Sequence, residues 1–248
     1  MISELPLFLF TLLGGTAAGI YACSAIFPKA LQGKKNLIVP TIALVLLAVG
    51  GVALLFHLGR PERMLKAFRN LSAGITQEAY VTMAFGIVVF IDLVLCAAKK
   101  SVPQALRCVG AVLAVILVVV MANAYFAIVT NQAMHSWQTF AQFLFAAAAL
   151  GMTFVAALHA GGDDCMKLAK IACVVAVVFA AAILLEGVHY MGAGLGFAAF
   201  AISAVIAAAG AACAWVAQQK GATLLWVAFA LVFVAAAVSR YAFYLAIG

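Results

Sequence analysis

The chain alternates long apolar runs with short polar ones. Nearly uncharged stretches occupy residues 5–27, 37–58, 79–98, 109–130, 138–159, 169–190, 196–217 and 223–246. Each is long enough to cross a bilayer as a helix, which takes about 20 mainly apolar residues. Strands of a membrane barrel would be runs of about ten residues alternating polar with apolar, whereas these runs are longer and apolar all round. The pattern predicts an all-α integral membrane protein, eight transmembrane helices in a compact bundle, forming a single domain over residues 1–248. An even number of spans puts both termini on one side, here called the near side. The loops after the first, third, fifth and seventh helices then lie on the far side.

Composition removes the soluble alternative. Of 248 residues, 69% are hydrophobic and 8% charged, with a mean hydropathy of +1.24, and no soluble domain buries that much apolar surface. The opening Met1-Ile2-Ser3-Glu4 lacks the basic segment of a cleavable signal, and the first apolar run is too long for one, so the first helix is expected to be retained.

Charge orients the bundle. Lys29, Lys34, Lys35, Lys99, Lys100, Arg107, Lys167, Lys170 and Lys220 belong to far-side segments, and Arg60, Arg63, Lys66, Arg69 and Arg240 to near-side ones. Basic residues collect on the cytoplasmic side, so the far side is read as cytoplasmic and both termini as periplasmic, in a bacterial inner (cytoplasmic) membrane. The six cysteines (Cys23, Cys96, Cys108, Cys165, Cys173 and Cys213) all fall in or beside the far-side loops, the reducing side for a free thiol. No C-x-x-C pair occurs, so no iron–sulfur cluster is expected in this chain. The net charge of +7 is what loop orientation requires and gives no reason to expect a nucleic-acid partner.

The longest connection runs from Gly59 to Gln77, and its Pro61-Glu62-Arg63-Met64-Leu65-Lys66-Ala67-Phe68 pattern fits a short amphipathic helix in the interface. Pro61 suits the first turn of such a helix and Glu62 its positive end. Arg63, Lys66 and Arg69 give this loop a basic surface suited to docking a partner.

Ionisable groups inside a bilayer are costly and face the bundle interior, so each is a functional candidate. Here they crowd toward the near side: His57 at the end of the second span, Glu78 at the start of the third, Glu186, His189 and Tyr190 at the end of the sixth, Arg240, Tyr241 and Tyr244 at the end of the eighth. Asn123, Tyr125, Asn131, His135 and Trp137 surround the fourth-to-fifth connection. Interfacial anchoring accounts equally well for His135, Trp137 and Tyr244. Glu186 and His189, three apart, share a helical face and are placed to pair. Arg240 lies about 12 Å of helix from the C-terminus and is expected to pair with Glu186 or Glu78, structurally or catalytically. Asp92 and His159 fall outside the cluster; Asp92 is seven residues from Lys99, so snorkelling or a salt bridge there is the simple account.

Such a cluster suits a two-electron, two-proton carrier dissolved in the membrane. A quinol needs a hydrophobic slot, donors for its oxygens and a base near neutral pH. Histidine titrates near 6.5 when unperturbed, and a nearby carboxylate can orient the imidazole and pass its proton to water.

Phe56-His57-Leu58-Gly59-Arg60-Pro61, followed by a basic stretch, Ser72 and Glu78, resembles the dimethyl sulfoxide reductase membrane anchor subunit family. More distantly it is similar to the membrane subunits of polysulfide and nitrite reductases. The closing Ser239-Arg240-Tyr241-Ala242-Phe243-Tyr244 also resembles that anchor's last helix. The resemblance implies a haem-free eight-helix anchor that oxidises menaquinol from the quinone pool and delivers electrons to an iron–sulfur electron-transfer subunit carrying [4Fe-4S] clusters, which feeds a molybdopterin catalytic subunit. It assigns the quinol site to His57 and Glu78. Where the family often has an arginine just before that glutamate, this chain has Gln77. Arg60, Glu186, His189, Arg240 and Tyr241 are added to the quinol-binding set from their placement, and no metal ligand is expected. Two other readings fit the same residues: a haem b anchor with bis-histidine ligation from two of His57, His135 and His189, and a secondary transporter. The latter usually carries an internal repeat and a midplane site, and neither is visible in the sequence.

Overall fold

Every apolar run folds as a helix: α1 (Leu5–Ile26), α2 (Lys35–His57), α3 (Gly74–Ala97), α4 (Gln104–Phe126), α5 (Trp137–Leu158), α6 (Cys165–Gly192), α7 (Ala198–Lys220) and α8 (Thr223–Leu245). The structure is a computed structural model that describes residues 4–28, 35–57, 70, 73–162, 164–221 and 223–245. Among these no strand occurs, and eight helices are long and apolar enough to cross a membrane. The expected interfacial helix at residues 61–68 lies outside the described residues.

Helix ends depart from the apolar runs where polar residues continue a helix. α3 begins at Gly74 rather than 79, because the backbone N–H groups of Thr76 and Gln77 already bond to the Ala73 carbonyl. Glu78 therefore sits inside the helix. α6 extends to 28 residues, Cys165–Gly192, adding Cys165 to Leu168, with Lys167 among them, before its apolar stretch and Met191 and Gly192 after it. α4 stops at Phe126, where Ile128 N–H bonds back to the Tyr125 carbonyl and Asn131 N–H to the Ile128 carbonyl, tightening the chain into turns.

The helices pack as two four-helix groups. α1 to α4 form a ring in chain order, with α1 closing on α4, and α5 to α8 form a second ring, with α5 closing on α8. The groups meet along a seam where α1 and α4 pack on α5, and α1 also reaches α8. Lipid supplies no hydrophobic force between helices, so close backbone approach by small residues must hold such a seam. Gly19 and Gly151 provide it: a Cβ on Gly19 would fall into the Ala147 carbonyl, and one on Gly151 into the Gly19 carbonyl. Phe10, Leu117, Met121, Phe143 and Leu150 fill the space around this crossing and are fully or almost fully buried.

At the far end the first group is tied by a buried ion pair. The Asp92 carboxylate accepts a hydrogen bond from Arg107 Nε at 3.1 Å and another from the Tyr21 hydroxyl at 2.8 Å. Arg107 also donates to Asn36 of α2. These contacts correct the expected Asp92–Lys99 bridge. Lys99 lies about 10 Å further along the helix axis, in an exposed turn after α3, whereas Arg107 comes from the facing helix. With Tyr21 on α1, the network joins all four helices of the group.

Candidate functional site

The other polar concentration lies at the end that holds the start of α1 and the end of α8, on both sides of the seam. Thr11 of α1 and Tyr244 of α8 share a hydrogen bond at 3.1 Å, and Tyr244 in turn bonds the hydroxyl of Tyr125 at the end of α4. A hydroxyl chain thus crosses from one four-helix group to the other. Edge-on aromatic contacts hold it: Phe8 against Tyr244 at 6.3 Å between centroids, Phe243 against Tyr125 at 5.2 Å, and Phe200 against Tyr190 at 4.9 Å. Such geometries align ring edges with ring faces, which fixes where the hydroxyls point.

Charged groups flank this chain on either side. Glu78, in the second turn of α3, is 2% exposed, and its Oε1 has no hydrogen-bond partner among the described residues. One turn before it, Gly74 packs against Ala124, the residue next to Tyr125. On the other side of the seam Glu186 of α6 is 0% exposed; the Thr139 hydroxyl lies near its carboxylate, and neither oxygen makes a hydrogen bond of ordinary geometry among the described residues. Arg240 of α8 is 3% exposed; its guanidinium carbon stands 3.0 Å from the centroid of Phe143, and its Nη1 has no partner. The expected pairing of Arg240 with Glu186 or Glu78 therefore takes another form. The cation stacks on an aromatic face, which stabilises a desolvated guanidinium.

Native proteins leave few buried polar atoms unpaired, and each exception calls for an explanation. Here Glu78, Gln142, Glu186, Tyr190 and Arg240 all contribute such atoms in the same half of the bundle. A cavity of about 290 Å³ reaches toward them between the ends of α6, α7 and α8, lined by Tyr190, Leu195, Gly196, Ala198 and Ala242.

The remaining expected site residues are placed differently. His189 directs Nε2 to the Gln132 carbonyl at 3.1 Å, not to Glu186. Tyr241, one residue from Arg240, is 45% exposed. His135 stacks on Phe126 with centroids 4.3 Å apart, and its Nδ1 meets the Phe126 carbonyl. His57 ends α2; its side chain, and Arg60, Arg63, Lys66 and Arg69, lie outside the described residues. Among the described residues no three His, Cys, Asp or Glu side chains are grouped to hold a metal. Thr11 and Gln142 join the site without having been singled out in the sequence. Their signal was available: each is a polar residue within a mainly apolar run, and the cost of burying such a group makes it informative.

Eight membrane-capable helices around an ionisable interior define a multi-pass membrane protein. The family model of the DMSO reductase anchor subunit, DmsC, matches residues 1–245, and the chain belongs to that family, the membrane anchor of a molybdoenzyme complex. Comparison with curated proteins gave no significant match.

Proposed function

We propose that this anchor binds menaquinol at the end of the bundle carrying its termini, on the periplasmic side of the inner membrane, and oxidises it. The two electrons pass to an iron–sulfur subunit and from there to the molybdopterin subunit. The observation that carries the reading is Glu78: a buried carboxylate with an unpartnered oxygen, on the helix packed against α2, whose last residue is His57. Quinol oxidation releases two protons with two electrons, so the site needs acceptors at the lipid–water border. His57 takes a proton from one quinol hydroxyl, and Glu78 serves the second or relays the first. Arg60 and Tyr241 border the quinol's approach. Arg63, Lys66 and Arg69, in the connection that follows His57 in sequence, supply the positive charge to which a partner accepting electrons docks.

The test uses the assembled three-subunit complex supplied with a reduced quinol analogue. His57→Ala and Glu78→Gln each lower quinol oxidation by about 100-fold or more, the usual contribution of a positioned acid or base. Turnover of the same complexes with an artificial reductant that feeds the partner subunits directly stays unchanged. Wild-type quinol oxidation by both variants would overturn the assignment.

A further inference from the structure

Electrons and protons leaving one quinol need separate ways out. If the basic loop beside His57 carries the docked partner, the nearest surface is covered, and protons released at Glu78 need another exit. We infer that this exit crosses the seam and opens in the second four-helix group, through the Tyr125–Tyr244 pair, Glu186 and Tyr190, at the cavity between the ends of α6, α7 and α8. The inference rests on the quinol reading of the site.

Four observations support the route. Gly74, one turn before Glu78, packs against Ala124 beside Tyr125, and the hydroxyls of Tyr125 and Tyr244 are hydrogen-bonded to each other across the seam. Tyr190, Tyr125 and Tyr244 all pack on Phe243, at 6.1, 5.2 and 5.5 Å between centroids. Glu186 lies one helical turn below Tyr190 on the same face; neither its oxygens, which have the Thr139 hydroxyl nearby, nor the Tyr190 hydroxyl completes a hydrogen bond among the described residues. Tyr190 itself lines the 290 Å³ cavity, whose other lining side chains are apolar, so its hydroxyl is the side-chain group that a water entering there would meet. A purely structural cluster would be expected to close its hydrogen bonds, because a buried unpaired oxygen is costly. Open valences on a carboxylate and a phenol beside a water-sized cavity suit groups that accept and release a proton in turn.

The proton balance is simple. Quinol gives up two electrons to the partner and two protons to the chain. A proton leaving Glu78 is passed along the tyrosine hydroxyls, each accepting one proton and donating another. Glu186 holds it as a carboxylic acid and returns to a carboxylate when the proton moves to water at the Tyr190 mouth. Arg240, stacked on Phe143, stays charged throughout and takes no proton.

The experiment compares Glu186→Gln, Glu186→Asp and Tyr190→Phe in the assembled complex, with quinol-analogue oxidation measured in H2O and in D2O. Glu186→Gln and Tyr190→Phe should slow oxidation about tenfold and enlarge the solvent isotope effect, with Glu186→Asp restoring most of the rate. An infrared band of a protonated carboxyl appearing on addition of quinol should vanish in Glu186→Gln. Direct reduction of the partner subunits by an artificial donor should be unaffected, showing that assembly is intact. If Glu186→Gln fails to assemble, Tyr190→Phe, which removes a single oxygen, carries the test. Wild-type rates and isotope effects in Glu186→Gln and Tyr190→Phe, with loss in His57→Ala and Glu78→Gln, would overturn the exit and leave the quinol reading standing. Retained rates in all four would overturn both.

Discussion

Arg107 on α4 donates its Nε hydrogen to Asp92 on α3 at 3.1 Å, with the two side chains almost wholly enclosed. Breaking one half of a buried pair costs about 3–5 kcal/mol, because the other charge stays behind without compensation. Asp92→Ala should therefore lower the thermal midpoint of the detergent-purified complex sharply. The double replacement Asp92→Leu with Arg107→Met should recover most of that loss, since well-packed apolar residues replace buried pairs at little cost. A double variant as unstable as the single would show that the polar network itself, and not the stranded charge, sets the stability.

The α1–α5 crossing should tolerate no side chain. Gly151→Leu would drive a branched side chain into the backbone of Gly19 and against the Cys23 sulfur, and the helices have no room to move apart without opening the seam. The expected result is loss of the folded anchor from the membrane fraction. Gly51→Leu, on α2 where an added Cβ meets nothing, should accumulate as the wild type does; immunoblots of membranes from the two strains compare them directly.

Tyr244 holds the hydroxyls of Thr11 and Tyr125 together. Tyr244→Phe leaves both without that partner in a buried setting, at a cost of about 1–3 kcal/mol. The midpoint of thermal unfolding should fall correspondingly, and Thr11→Val in the same chain should add little, because its partner is already gone. Independent additive losses from the two changes would argue against the shared bond.

Charge reversal in the connection after α2 should act on assembly and leave the fold alone. With Arg63, Lys66 and Arg69 all replaced by glutamate, association with the iron–sulfur subunit should slow by about tenfold or more at low salt, as expected when charge steering is reversed. The difference from the wild type should shrink as ionic strength rises and screening shortens. An unchanged association rate would move the docking surface elsewhere.

Much of this architecture was legible in the chain itself. Backbone groups in a bilayer must satisfy one another within the helix, so a run of about 20 apolar residues has essentially one structure available, and eight runs gave eight helices with ends shifted by a few residues. The concentration of Glu78, Glu186 and Arg240 at one end also followed, since alternating helix direction assigns each residue an end and a depth. The motif around His57 carried the family as well, through local residue order alone.

Lateral arrangement was not legible. Near-uniform apolarity leaves little periodic signal to say which face of a helix meets protein and which meets lipid, so the division into two four-helix rings emerges only from packing. Spacing along the chain put Asp92 near Lys99, whereas the facing helix supplied Arg107. It likewise put Glu186 beside His189, but His189 turned to the Gln132 carbonyl, and Arg240 settled on Phe143. Sequence periodicity reports neighbours on one helix; partners across helices are chosen by which backbones approach closely, and here Gly19 and Gly151 set that approach. The chain by itself determined the helices, their alternation and the end at which ionisable residues gather. Only tertiary packing decided which of those residues bond, which stack and which remain open, because these outcomes depend on contacts between segments far apart in sequence.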